Sequence, residues 1–406
     1  MLRSAGRSGP WWVGFVGGLA LAVAATPARA KGGPKPLEAE QQIKPADGYF
    51  DEAFALEPGG AHLYAIRTDG ATFAKLEIVD LVTGKTTSSF DLPEGASHAP
   101  IESLEPLEGG KGVVLVAREG AAEPPRFTAM LVDAAGKAGA KTPDATAFGR
   151  PAEDRSLLLA FDRKLGAHDG EATYTITPYK LDTLAPAGKP RVYKTGAGGE
   201  LKSPPFRLLD FNDGYARAVG ERPRAYDKKS DVRAPARMAV LDTLTGKLVR
   251  EAEIADVMGW LEAAKLRARH PGRAVFADLN PNDSGVDVLD AMGTRKPVEL
   301  AVPFGLYDPK SITDQEGPEP GAFTFGIAID PLNADAIKRQ KPDLPMLDLY
   351  ATSAGSKPDA SPTLRGRVFI PRNVTWRAGW GKVAVLKRFK SFTRGGDEID
   401  VYAFKH

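Results

Sequence analysis

Two ten-residue lines in the 406-residue chain share one form. They are Leu76-Glu77-Ile78-Val79-Asp80-Leu81-Val82-Thr83-Gly84-Lys85 and Met238-Ala239-Val240-Leu241-Asp242-Thr243-Leu244-Thr245-Gly246-Lys247. Weaker copies carry Asp133, Asp182, Asp290, Asp348 and Asp400 at the matching place, so the line returns about every 45–60 residues. A period of that size marks a repeat architecture, in which one unit cannot bury its apolar faces alone and neighbours must stack. Around Asp80 the unit reads as four strands: one ending at Pro58-Gly59-Gly60, then 62–68, 75–81 and 86–92. The alternating apolar residues pack to both sides, the Asp ends the strand, and the Gly permits the turn.

Four antiparallel strands in about forty residues make one blade of a propeller. The seven copies therefore predict an all-β chain, a seven-bladed β-propeller of four-stranded antiparallel blades over residues 49–406. A pair of β-sandwiches is the competing architecture, because any antiparallel domain contains such hairpins. The form apolar-apolar-Asp-x-x-Thr-Gly-Lys resembles the third strand and following turn of bacterial β-propeller repeats of the YVTN and TolB-like, WD40-like kind. Asp80 with Thr83-Gly84-Lys85 and Asp242 with Thr245-Gly246-Lys247 match it closely. What the resemblance implies is a fold and no particular activity.

The last unit offers only three strands, at 373–379, 382–389 and 398–404. The lead-in 31–48 is expected to run extended, and its stretch 37–45 to supply the missing strand, which would remove the open edges of the ring. Two segments break the pattern. Residues 256–269 hold Met258, Leu261 and Leu266 at helical spacing where a first strand is due, which predicts a short helix ahead of that strand. Residues 306–345 contain six prolines and read as a lengthened blade with a small helix near 333–340.

The N-terminus carries Arg3 and Arg7, an uncharged apolar run over 11–25, and Ala28-Arg29-Ala30. That order is the pattern of a secretory signal peptide over 1–30, and the run is too short to span a membrane. The expected product is periplasmic or secreted and monomeric, with no membrane span after cleavage. Without Arg3, Arg7 and Arg29 the 54 basic residues become 51 against 52 acidic ones, so the small positive excess belongs to the leader. No nucleic-acid partner is expected of so neutral a chain. With no cysteine, disulfides, thiolate metal sites and cysteine nucleophiles are excluded.

Chemistry-bearing motifs are sparse. The five histidines, His62, His98, His168, His270 and His406, lie too far apart for a helical metal pair. The best metal-like string places Asp278, Asn280, Asn282 and Ser284 at the oxygen-ligand positions of a calcium loop. It has Asp283 where such loops need Gly and Leu289 where they need Glu, so a hairpin tip is the competing account. Ser353 lacks the strand–turn–helix setting of a nucleophile elbow, and Gly109-Gly110-Lys111-Gly112 reads as a hairpin tip. No resident cofactor is expected; a divalent metal is the one candidate.

Charge is unevenly spread. Between 365 and 406 ten Lys and Arg face three acids, an excess of +7. Lys387, Arg388, Lys390 and Arg394, interleaved with Trp376 and Trp380, form a candidate surface for an anionic polymer or an acidic envelope protein. A solvated outer strand whose cations protect a sheet edge is the plainer alternative. The expected function is a non-catalytic binding or scaffolding module of the cell envelope. The alternative is a lactonase-like propeller hydrolase with a divalent metal in its central channel.

Overall fold

From His62 to Thr68 both sets of alternating side chains are buried, Leu63 and Ala65 to one side and Tyr64 and Ile66 to the other. A strand covered on both faces needs an apolar sheet on each side of its own. The computed structural model describes residues 36–70, 74–93, 100–120, 125–149, 156–167, 172–195, 206–212, 215–220, 236–242, 248–254, 273–277, 285–290, 295–299, 313–316, 323–328, 347–351, 363–368, 375–387 and 396–404. Residues 256–269 and 333–340, where helices are expected, lie outside them.

After β1 (Gln41–Ile43), sheet one is formed by β2 (Tyr49–Leu56), β3 (His62–Thr68), β4 (Ala74–Asp80) and β5 (Lys85–Asp91). Sheet two has β6 (Ile101–Pro106), β7 (Gly112–Glu119), β8 (Arg126–Asp133) and β9 (Ala138–Lys141). Sheet three has β10 (Ala147–Gly149), β11 (Leu157–Leu165), β12 (Ala172–Lys180) and β13 (Arg191–Thr195). Sheet four follows with β14 (Phe206–Asn212), β15 (Tyr215–Gly220), β16 (Ala236–Asp242) and β17 (Leu248–Ile254). Sheet five shows three described strands, β18 (Arg273–Ala277), β19 (Gly285–Asp290) and β20 (Arg295–Glu299). Sheet six has β21 (Thr313–Glu316), β22 (Phe323–Ala328), β23 (Leu347–Ala351) and β24 (Thr363–Val368). The last sheet takes β25 (Thr375–Gly379), β26 (Lys382–Lys387) and β27 (Glu398–Ala403) from the C-terminus and β1 from the other end of the chain.

Every sheet is antiparallel, the last one a meander of β25, β26 and β27 to which β1 is added, and first strands of successive sheets adjoin: β21 meets β25, β25 meets β2, and β2 meets β6. Inner strands side by side, with the rest of each sheet running outward, make a β-propeller. The core is the set of gaps between sheets. Ile43, Phe54, Leu63, Val79, Leu386 and Val401 fill the gap between the last sheet and sheet one. Tyr64, Ile66, Leu76, Val113 and Leu115 fill the next, and Val114, Val116, Leu158 and Ala160 the one after. Successive residues of β7 thus serve opposite gaps, as the period of two requires.

The N-terminal segment holds three sheets together. Pro36 pairs with Arg367, and the Leu37 amide donates to the Arg367 carbonyl at 2.7 Å in sheet six. The Glu40 amide donates to the Val401 carbonyl at 2.8 Å, and β1 lies antiparallel to β27 with Gln41 opposite Val401 and Ile43 opposite Ile399. The Gln41 side-chain amide then donates to the Val82 carbonyl at 3.2 Å, on the turn of sheet one.

That turn explains the repeated line. The Asp80 carboxylate accepts from the amides of Val82 and Thr83 at 2.9 and 2.7 Å and from the Thr83 hydroxyl at 3.0 Å. These bonds, those of Thr83 first, hold its pKa below the usual aspartate value. Gly84 follows at φ +69°, left-handed backbone that a Cβ disfavours. Asp133 repeats the device, accepting from the amides of Ala135 and Lys137, with Gly136 at φ +79°. In sheet three the expected alignment on Asp182 is corrected by two residues. β12 ends at Lys180, the Leu184 amide donates to the Lys180 carbonyl, and Leu184 stands at φ +52° where Gly84 stands in sheet one.

Leu184 is 4% exposed and packs in the gap between sheets two and three, which offsets its backbone strain. The expected result is an inverted order of substitutions. Leu184→Ala leaves a cavity and keeps the strain, whereas Leu184→Gly leaves a similar cavity and relieves it. Urea unfolding is expected to find the Ala variant about 1 kcal/mol less stable than the Gly variant.

Candidate functional site

Because strand direction alternates, connections from second to third strands and from each fourth strand to the next sheet leave at one end of the blades. The long connections 221–235, 329–346 and 388–397 all belong to that end. The opposite end has tight ones at 57–61, 81–84, 213–214 and 380–381, its longest spanning 352–362. The calcium-like string lies in sequence between β18 and β19. Asp278, Asn280, Asn282 and Ser284 themselves lie outside the described residues.

At this end of the last sheet sits a buried ionic cluster. Lys387 ends β26 and Glu398 begins β27, directly opposite it. Glu398, Asp400 and Tyr402 share one face of β27 by the strand period, turned toward sheet six, while Ile399 and Val401 face sheet one. The Lys387 ammonium lies 3.3 Å from Glu398 and in direct contact with Asp400. Lys44, just past β1, reaches the other Glu398 oxygen at 3.3 Å, and the Tyr402 hydroxyl donates to Asp400 at 3.1 Å. Asp400 is 1% exposed and Glu398 6%.

Two carboxylates this close in a dry gap cannot both ionise freely. Burial pushes the Asp400 carboxyl up, helped by its hydrogen bond with Glu398 and opposed by Lys387 and Tyr402. Burial works against Glu398 as well, but its hydrogen bonds with Asp400, Lys44 and Lys387 outweigh burial and hold it below the usual glutamate value. Burial also works against the Lys387 ammonium, and its contacts with both acids more than offset that, so it stays charged. Tyr402 is pushed well above its ordinary range by burial and by Asp400, and remains a donor.

Other charges are matched in the same way, with Arg67, Glu77 and Glu57 buried and Arg126, Asp144 and Asp162 partly or well exposed. Arg67 of β3 contacts Glu77 of β4 and reaches Asp47 in the stretch between β1 and β2. Arg126 ties sheet two to Asp144 at 2.8 Å and to Asp162 of sheet three. At the opposite end Glu57, 1% exposed, binds His62 Nδ1 at 2.5 Å and accepts from the Gly110 amide of sheet two at 2.5 Å. Beside Glu57, the buried Tyr64 phenol is pushed up to about 12, by burial first and then by that charge.

Of the expected basic surface, Arg388, Lys390 and Arg394 lie outside the described residues. Lys387 is an internal partner of two acids, so its charge is already met. Trp376 is 5% exposed, packed between sheet six and the last sheet, and Trp380 packs against the gap on the other side. Inner strands carry Asp51 and Glu52 on β2 and Glu102 and Glu105 on β6, all half-buried. The Arg377 guanidinium of β25 stacks 5.3 Å above the Phe54 ring of β2, joining the last sheet to the first near the axis. Among the described residues no three His, Asp or Glu side chains converge as metal ligands, and no helix is long and apolar enough to cross a membrane. Sequence reasoning missed Glu398 and Asp400 as a site; the available signal was acids at alternate positions on a strand whose register sets Glu398 opposite Lys387.

No family model matches the chain, and no curated protein matches it. Solved structures similar to it include two described as propellers. The β-propeller domain of the Trilobed protease from Pyrococcus furiosus is 12% identical, with 77% of this chain and 82% of that one covered and a TM-score of 0.42. A chain in the mitotic checkpoint complex is 8% identical, with 91% and 95% covered and a TM-score of 0.47. The Dos1 propeller is 11% identical, with 91% and 94% covered and a TM-score of 0.41.

Proposed function

We propose that this chain is an exported, non-catalytic binding module, a seven-bladed propeller that offers a partner the end bearing its long connections. The observation that carries the reading is the asymmetry of the blades: tight turns predominate at one end, while the longest second-to-third connections, 221–235 and 329–346, lie at the other together with 388–397. Binding residues belong on loops held by a rigid scaffold. The buried charges described above join strand to strand and sheet to sheet, which suits a support. The connection 388–397 holds Arg388, Lys390 and Arg394 against Asp397 alone, so the partner favoured is anionic, an acidic protein face or polymer of the cell envelope.

Changing Arg388, Lys390 and Arg394 to Glu, with Lys387 left in place, tests this. The triple variant is expected to elute from a sulfated-polysaccharide column at distinctly lower salt than the parent, with an unchanged melting curve. Equal retention would reject the anionic partner. The half-buried carboxylates Asp51, Glu52, Glu102 and Glu105 on inner strands favour a second reading, a hydrolase with a divalent metal at the channel. Stoichiometric metal in the purified protein, lost together with hydrolytic activity when those residues are changed to amides, would establish that one.

A further inference from the structure

We propose that Glu398 and Asp400 hold one proton between them, and that this proton fastens the closing strand β1 to the propeller. The two acids grip one ammonium, Lys387, from neighbouring positions on one strand face, which sets their carboxyl groups close together in a buried gap where one shared proton relieves their repulsion. Asp400 Oδ1 is buried and takes no bond from an N–H or O–H donor among the described residues, while Oδ2 serves Tyr402 and Lys387. Asp400 is the deeper acid, so the proton resides there and the charge on Glu398, where Lys44 meets it from the rim. With one proton the interior holds one cation and one anion. Without it a second anion is left in an apolar gap, and the one buried cation, Lys387, must be divided between both.

Among the described residues the charged and titratable groups around the pair are few. β26 contributes Lys387, β27 contributes Tyr402, and the stretch after β1 contributes Lys44. Sheet six turns Leu347, Leu349 and Val368 toward this gap, while its Asp348 and Arg367 pair with each other. Lys382, at the far end of β26, pairs with Glu40 at 3.7 Å. Asp400 with a raised pKa binds its proton more tightly folded than unfolded. Its contribution is complete below the ordinary aspartate range and is lost as pH rises through the raised value. Glu398, held low, contributes above the ordinary glutamate range and loses that only as pH falls through its lowered value. The clasp therefore loosens on the alkaline side of Asp400's titration, and its first strand to feel this is β1.

The full chain tests it with Asp400→Asn and Glu398→Gln. Infrared spectra of the parent at about pH 5, above the midpoint of about 3.9 for a free aspartate, are expected to show a protonated-carboxyl band that Asp400→Asn removes. Asp400→Asn mimics the protonated acid and is expected to melt within about 2 °C of the parent, with Glu398→Gln lower. Amide exchange at Glu40 and Gln41, corrected for intrinsic rates, is expected to quicken as the parent's band titrates away and to lose that dependence in Asp400→Asn. A parent without the band at that pH overturns the proposal, whether or not the variants fold. So does an Asp400→Asn chain that is less stable than Glu398→Gln, or exchange at β1 that ignores the titration.

Discussion

A chain that begins at Lys44 is expected to melt about 6 °C below the full chain, and a synthetic peptide of residues 35–45 to restore much of the loss. Removing the segment takes away buried Ile43, the half-buried Leu37 and Ala39, and the amide bonds of Leu37 and Glu40. It also uncovers Ile399 and Val401 and leaves β27 with a bare edge. At about 2 kcal/mol for a buried Ile and about 1 net for each backbone bond, the sum is on the order of 5 kcal/mol. For a chain of this size that is a shift of roughly 6 °C. A truncated chain with the parent's melting curve would show that the last sheet closes without β1.

The second large effect is expected at Arg67. Arg67→Met should cost about 3–5 kcal/mol in denaturant unfolding, because Glu77, 4% exposed, would remain charged and unmatched between sheets. Asp47 is open to solvent and rehydrates, so it adds little. Arg67→Met combined with Glu77→Leu removes both charges from a gap lined by Leu63, Ala65 and Val79, and is expected to recover to within about 1 kcal/mol of the parent. A double variant as weak as the single one would show that Arg67 acts through something other than this pair.

Much of the fold was legible because a blade's strands are short and its turns are chemically marked. The strand from His62 to Thr68 and the turn at Asp80 follow directly from alternation and from an Asp followed by Thr-Gly-Lys. The shortage of one strand in the last unit likewise pointed to the N-terminal segment. Where Leu184 replaces the turn glycine, the mark is missing, and alignment on Asp182 slipped by two residues. Only a tertiary gap able to bury Leu184 makes that backbone tolerable. The ionic cluster was hidden for a related reason. Alternation on β27 sets Ile399 and Val401 against Glu398 and Asp400, and the usual reading puts the charged side in water. A propeller sheet has no water side at its middle strands, so the charged set is buried too and must find partners within it. Lys387, counted as part of a basic surface, is one of those partners.

The segment that completes the last sheet is made before every other described strand, and the strand it joins is made after them. Gln41 waits for Val401 while all the strands between them are synthesised. During that time every partly made chain carries an open sheet edge and an uncovered apolar gap, the features that invite pairing with other chains. A product cut short before β27 therefore lacks the strand that seats β1, and its last sheet keeps an open edge.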